Sequence, residues 1–462
     1  MDSKLIEKLK GIVGSEHVFD KYEDRYCYTY DASFITVGKK EVPEVVVYPA
    51  GKEEVAEILK LANEHQIPVI TRGAGSNVSG GTVSRRDAIV MVLTRMNKII
   101  NIDRKNMIAE MEPGVIIAEF QAAVEKMGLF YPPDPASSAF STMGGNVAEC
   151  AGGPRGAKYG VTRDYVLGLE VVLPTGQILN FGARTMKSVV GYDFTRLLVG
   201  SEGTLGVITK IIVKLIPLPE AKKTMLVIFD DLYKASETVS QIFMAGIIPT
   251  TMELLDQIYI KNIEEYVKIG LPVDADAVLL IEVDGDELIL DKQINIISEI
   301  CKKQGAREVK VAQNENEAND LWIARRSAFA AVSRVKPTII GEDCTVPRDK
   351  IPEVVQKIRD ISHKYNILIA ILGHAGDGNL HAALLADERD KEEMERVEKA
   401  AEEIFKATLE AKGTLTGEHG VGRVKSKYLH LEIGPEGIAL MKAVKRAFDP
   451  NSILNPGQML GE

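Results

Sequence analysis

RGAGSNVSGGT, residues 72–82, is the stretch on which the fold reading turns. Gly73, Gly75, Gly80 and Gly81 let the backbone approach a ligand closely, and successive N–H groups in such a loop form an anion-binding nest. Ser76, Asn77 and Ser79 add neutral hydrogen-bonding groups. The loop is not the dinucleotide fingerprint, because Val78 stands where the third glycine belongs and no helix pattern opens there. Nor is it a P-loop, which would end in Lys followed by Ser or Thr. A plain glycine-rich turn is the alternative when the loop is taken alone.

Upstream, Glu44 to Ile70 reads as strand, helix, strand: EVVVYP, then a helix face of Val55, Ile58, Leu59 and Ala62, then PVIT. Downstream, AIVMVL (88–93) and MIAEMEP (107–113) read as short strands. Two more small-residue loops follow, PPDPASSAFSTMGGNVAECAGG (132–153) and GSEGTLGVIT (200–209). So much loop chemistry inside a folded domain is usually functional. Three such loops can line one long ligand, a pyrophosphate at one end and a flat ring at the other. YVLGLEVVLPTG and LGVITKIIVKLIPLP read as strands, and Pro217 and Pro219 mark a domain boundary.

A second pattern begins at Lys223. MLVIF is a strand, PTTMELLD a strand or turn, AVLLIEVDG and REVKVA strands, with helices over roughly 232–245, 255–267 and 287–304 between them. This alternation predicts an α+β sandwich, one sheet covered by helices. From Asp387 to Lys412 the spacing of Met394, Val397, Ala401, Ile404 and Phe405 predicts a charged amphipathic helix, either a surface helix or a partner-docking one.

Bulk properties narrow the class. The chain has 462 residues, enough for two or three domains. Net charge is −10 and no stretch is dominated by Lys and Arg, which argues against nucleic acid as a partner. Cys27, Cys150, Cys301 and Cys344 are far apart, which supports neither an iron–sulfur cluster nor a disulfide framework. The N-terminal apolar residues Leu5, Ile6, Leu9, Ile12 and Val13 have helical spacing rather than the form of a signal peptide. The longest apolar runs fall far short of the ~20 residues that span a bilayer. A cytoplasmic protein without a membrane span is expected.

Two of the seven histidines lie in GHAGDGNLH, as His374 and His381. Gly376-Asp377-Gly378-Asn379 is strong turn chemistry between two strand-like runs, so a hairpin would bring both imidazoles to one side. Glu418 and His419 lie in GTLTGEHGVGR, among Gly417, Gly420 and Gly422. Two imidazoles and one carboxylate suit an open divalent-metal site for Zn, Fe or Mn. The seven-residue His spacing is no generic zinc signature, and a structural His pair is the alternative.

Together RGAGSNVSGG, PPDPAS, GGNVAECAGGPRGAKYG, GSEGTLGVIT, GHAGDGNLH, GEHGVG and ILNPG resemble the vanillyl-alcohol oxidase/PCMH flavoprotein superfamily over nearly the whole chain. Within it the resemblance is to the glycolate oxidase FAD-subunit, D-lactate dehydrogenase and D-2-hydroxyglutarate dehydrogenase group. It implies an α+β fold: a PCMH-type FAD-binding domain of two α/β subdomains (1–218), a cap domain with an antiparallel sheet (219–412), and a C-terminal segment (413–462) returning to the FAD domain. It also implies FAD held by Arg72, Gly73, Ala74, Gly75, Ser76, Asn77, Gly80, Gly81, Asp134, Ser141, Thr142, Gly144, Gly145, Asn146, Gly152, Gly160, Glu202, Gly203 and Ile208. Asn455 would contact the flavin or cap the C-terminus. Some relatives bond a histidine covalently to the flavin; this chain has none between Arg72 and Ile208, so non-covalent FAD is expected.

The resemblance further implies that His374, His381 and Glu418 hold a divalent metal, that His419 is the catalytic base, and that Arg325 of LWIARRSAF binds the substrate carboxylate, while Asp377 supports the turn. The expected reaction is oxidation of a small 2-hydroxy acid to the 2-oxo acid. GEDCTVP (341–347) lacks the lysine that D-2-hydroxyglutarate dehydrogenase places there for a second carboxylate, which favours lactate, then glycolate. The alternatives are D-2-hydroxyglutarate dehydrogenase and a metal-free flavin alcohol oxidase. Electrons would leave to electron-transferring flavoprotein or an iron–sulfur subunit, with coupling to NAD and ferredoxin as one form.

Overall fold

The computed structural model describes residues 3–35 and 37–461, which divide into two compact units. The first comprises residues 1–151, 161–218 and 418–462. Its smaller sheet has the order Val18–Phe19, Val45–Val47, Ile89–Val92, Val69–Arg72. The last three pair in parallel, with helix Lys52–Glu64 connecting two of them. Val45, Val46 and Val47 are all fully buried. A strand covered on both faces reads as an unbroken apolar run, which is why EVVVYP does not alternate.

The larger sheet of this unit is antiparallel, in the order Ile99–Asp103, Ile108–Met111, Val207–Lys214, Val166–Val172, Ile178–Gly182. Here period two is visible: Ile211 and Val213 are buried while Lys210, Ile212 and Lys214 are half-exposed. Helices Ile117–Glu125 and Met143–Glu149 lay Phe120, Met143 and Val147 into the same core as Ile211. The C-terminal ILNPG returns to the small sheet, where the Val69 N–H donates to the Ile453 carbonyl and the Asn455 N–H to that of Val69.

The second unit comprises residues 152–160 and 219–417. Its single sheet has seven strands, all antiparallel, in the order Glu308–Val311, Ala221–Phe229, Ala277–Gly285, Thr251–Asp256, Leu368–His374, Asn379–Ala386, Thr338–Thr345. Eight of the nine residues of the Ala277–Gly285 strand are buried, since helices cover both faces. Each fully buried side chain such as Phe229 or Ile281 contributes about 1.5–3 kcal/mol. The charged helix spans Lys391–Glu410 and buries Val397, Ala401, Ile404 and Phe405. Lys357–Glu410 and Lys364–Glu403 pairs tie it to helix Ile351–Tyr365, so its apolar face is used inside the unit. Among the described residues no helix is long and apolar enough to cross a membrane.

Candidate active site

The first unit carries the three small-residue loops. Strand Val69–Arg72 ends in the 72–82 loop, where Gly75 and Gly80 take left-handed conformations (φ 72° and 77°). A Cβ at Gly73 would stand 2.2 Å from Thr142 Oγ1, so only glycine lets these two loops touch. Asp31 organises the first loop and carried no sequence signal. Its Oδ2 accepts from Asn77 Nδ2 at 2.9 Å and from the Thr82 N–H at 3.1 Å.

Several residues expected to hold FAD also bond to other parts of the protein. Arg72 donates to the Tyr30 carbonyl (2.7 Å) and to Thr82 Oγ1 (3.3 Å) beneath the loop. Asn77 is engaged at both ends, by Asp31 and by Thr82. Glu202 accepts from the Val421 and Gly422 N–H groups at 2.7 and 2.8 Å, fixing the GEHGVG segment. Burial pushes its carboxyl up to about 7, against those two donors and the nearby Lys425. Asn455 accepts from the Thr71 N–H and donates to the Glu202 carbonyl, joining the first loop to the third. These four hold the loops in place.

Ser141 and Asn146 behave differently. Ser141 is 2% and Asn146 4% exposed, yet Ser141 Oγ and Asn146 Nδ2 have no hydrogen-bond partner. Buried polar groups without partners are costly, so an absent polar ligand fits here. They flank Thr142, the N-cap of helix Met143–Glu149, whose Oγ1 accepts from the Gly145 N–H. Gly144 packs against Pro113, where a Cβ would come within 2.5 Å. Asp134 is half-buried, Ala74 exposed, Ser76 half-buried and Ile208 buried in the large sheet. Gly81 abuts Glu149, and Gly203 (φ 66°) abuts Asn455. Gly152 and Gly160 are the two ends of the segment that belongs to the second unit, where Lys158 and Tyr159 bond to Asp284.

In the second unit the hairpin forms as its turn chemistry requires. His374 lies opposite Asn379, so His381, two residues on, shares its face as a diagonal neighbour. The two rings are 5.0 Å apart and nearly perpendicular. Gly378 (φ 86°) permits the turn, and a Cβ there would strike the Val346 carbonyl. Asp377 sits in this turn and gives its N–H to the His374 carbonyl, as a turn residue does. Asp343, fully buried and opposite His381 in register, accepts from Thr416 Oγ1 and the Gly417 N–H at 2.9 Å each. The chain is thereby anchored one residue before Glu418. The ligand atoms that His374, His381 and Glu418 offer all lie within 4.8 Å of one another. Two imidazoles and a carboxylate so placed fit a borderline divalent cation. His419 Nε2 stands 3.9 Å from Glu418 Oε1.

Arg325 lies on helix Glu315–Arg326, 12% exposed in its side chain, and its Nε donates to Glu253 Oε2 at 2.6 Å. Arg326 is exposed. Glu253, fully buried, was not legible in the sequence. Its other oxygen lies 2.7 Å from His374 Nδ1. Burial works to raise the Glu253 carboxyl, but the charges of His374 and Arg325 and their hydrogen bonds prevail and hold it below the usual carboxylate range.

The glycine-lined loops and the orphaned buried polar groups Ser141 and Asn146 fit a bound polar cofactor. Residues 218–459 match the family described as FAD linked oxidases, C-terminal domain, and residues 43–182 match the FAD binding domain family. The chain belongs to the FAD-linked oxidases and is an FAD-dependent oxidoreductase. Glycolate oxidase subunit GlcD of Bacillus subtilis (strain 168) is 50% identical to it over 456 residues, covering 99% of this chain and 96% of that protein. D-lactate dehydrogenase of Anaerostipes hadrus is 36% identical, covering 99% and 97%. Among solved structures, p-cresol methylhydroxylase with substrate bound superimposes with a TM-score of 0.83 at 19% identity, covering 99% of this chain and 96% of that one. 4-Ethylphenol oxidase from Gulosibacter chungangensis gives 0.80 at 19%, with the same coverage. These two share the fold with this chain, as the sequence motifs led one to expect.

Proposed function

We propose that the chain oxidises a small monocarboxylic 2-hydroxy acid, lactate or glycolate, to the 2-oxo acid, with non-covalent FAD and a divalent cation. The observation that carries this reading is the convergence of His374, His381 and Glu418 within 4.8 Å, with His419 beside Glu418. When bound, a flavin accepts a hydride, and a divalent cation lowers the pKa of a hydroxyl coordinated to it. His374, His381 and Glu418 would hold the cation and leave positions open for substrate. His419 removes the proton of the substrate hydroxyl as general base while the C2–H leaves as hydride. Arg325 binds the substrate carboxylate, a task suited to the guanidinium fork, whose Nε alone is held by Glu253. The names of the GlcD and D-lactate dehydrogenase relatives support the substrate class.

Reduced flavin must give up two electrons. The four cysteines are free thiols, well separated in sequence, and supply no cluster-type ligand group. The electrons would pass to a partner protein, an electron-transferring flavoprotein or an iron–sulfur subunit. The test is anaerobic bleaching of the flavin by D-lactate, L-lactate, glycolate and 2-hydroxyglutarate, each with and without a chelator. Fast bleaching by one of the monocarboxylates that chelation abolishes is expected. Bleaching insensitive to chelation would point to metal-free chemistry, and bleaching by 2-hydroxyglutarate alone would overturn the monocarboxylate assignment.

A further inference from the structure

We infer that Glu253 is the positioning residue that sets both the ligating nitrogen of His374 and the orientation of Arg325. This rests on the cation reading of His374, His381 and Glu418. Glu253 lies directly opposite His374 in the pairing of strands Thr251–Asp256 and Leu368–His374, so the two side chains leave the sheet on one face. One carboxylate oxygen meets His374 Nδ1 at 2.7 Å; the other takes the Arg325 Nε–H at 2.6 Å. Glu253 is fully buried, and Arg325 and His374 are 12% and 7% exposed in their side chains. A short, buried, two-sided bridge of this kind leaves little freedom to either partner.

The chemical consequence follows from the acceptor-only nature of a carboxylate. With Nδ1–H donated to Glu253, a neutral His374 carries its lone pair on Nε2 and would offer that nitrogen to a cation, as in the carboxylate–histidine–metal pairing that fixes tautomer and ring orientation. The same carboxylate holds the guanidinium by one N–H and leaves the rest of its fork for an incoming carboxylate. One group therefore couples where the cation sits to where the substrate's charged end is received.

Glu253→Gln breaks this logic with almost no change of shape. An amide has one oxygen and one NH2, so it can accept from His374 or from Arg325 but not from both on separate oxygens. Facing His374, the NH2 favours the tautomer protonated on Nε2; facing Arg325, it opposes the guanidinium. The experiment measures zinc affinity by competition with a chromophoric chelator in the flavin-loaded wild type, E253Q, Glu253→Asp and His381→Ala. Thermal unfolding of each and the KM for the preferred 2-hydroxy acid are measured alongside. Expected for E253Q is a 10–100-fold loss of zinc affinity, the usual effect of removing such a partner, together with a raised KM. E253D keeps the buried negative charge but is one methylene too short to reach both partners, and shifts the same way; it serves where the amide does not fold. A purely structural role would lower the melting temperature and leave zinc affinity unchanged. If His381→Ala abolishes binding while folded E253Q and E253D bind zinc as wild type does, the inference falls and the cation reading stands. If wild type binds zinc no better than His381→Ala, the cation reading itself fails.

Discussion

Replacing Asn455 by alanine should destabilise the first unit by about 3–5 kcal/mol. Its side chain spans two loops: Oδ1 accepts from the Thr71 N–H at 2.9 Å and Nδ2 donates to the Glu202 carbonyl at 2.8 Å. Asn455 is 3% exposed, so neither partner regains water fully when the amide is removed. Leaving a buried donor or acceptor unsatisfied costs about 1–3 kcal/mol, the partly covered Thr71 group at the low end and the buried Glu202 carbonyl higher. Asn455 also has φ 40°, a left-handed conformation that asparagine tolerates and that costs alanine about 1–2 kcal/mol. Folded domains are typically stable by only about 5–15 kcal/mol, so such a loss is severe. Urea unfolding followed by circular dichroism and flavin fluorescence measures it, and flavin release should come at lower urea than in wild type. Asn455→Gly separates the contributions, because it loses the same hydrogen bonds without the backbone penalty and should be the more stable of the two variants. A loss under about 1 kcal/mol for Asn455→Ala would refute the view that this amide joins the loops.

His419→Ala should retain FAD and lose turnover by about 10²–10⁴-fold, the usual weight of a positioned base; near-wild-type kcat would remove His419 from the reaction. Acid precipitation should release all the yellow chromophore to the supernatant, since no histidine lies between Arg72 and Ile208; flavin retained by the pellet would show a covalent bond. Stability should fall as pH rises from about 4 to about 7. Burial pushes the Asp256 carboxyl from the ordinary 3.8 up to about 7, against the Tyr259 and Ile371 N–H groups and Arg359. Between those values the folded state holds more protons than the unfolded chain, so raising pH favours unfolding. Unfolding free energies at pH 5, 6 and 7 should show a shallower decline in Asp256→Asn, and an identical decline would exclude this carboxyl as the cause.

What the sequence disclosed and what it withheld divide along one physical line. Local patterns were readable: AVLLIEVDG is the strand Ala277–Gly285, and helices expected over 232–245 and 287–304 run Leu232–Met244 and Glu287–Lys303. Turn chemistry at Gly376–Asn379 was readable too, and with period-two alternation it is enough to put His374 and His381 on one face. The role of Glu253 was not, because it depends on strand Thr251–Asp256 pairing with a strand more than a hundred residues later in the one register that sets Glu253 opposite His374. A slip of one residue would send that carboxylate to the other face of the sheet. Asp31, Asp343 and Glu202 follow the same rule. Their partners, the 72–82 loop, the residues before Glu418 and the GEHGVG backbone, come from distant sequence. Glycine-rich motifs announce where a ligand is approached, because the approach needs a missing Cβ at a fixed place. The buried acids that hold those motifs in position have no required neighbour in sequence, so only register and packing reveal them.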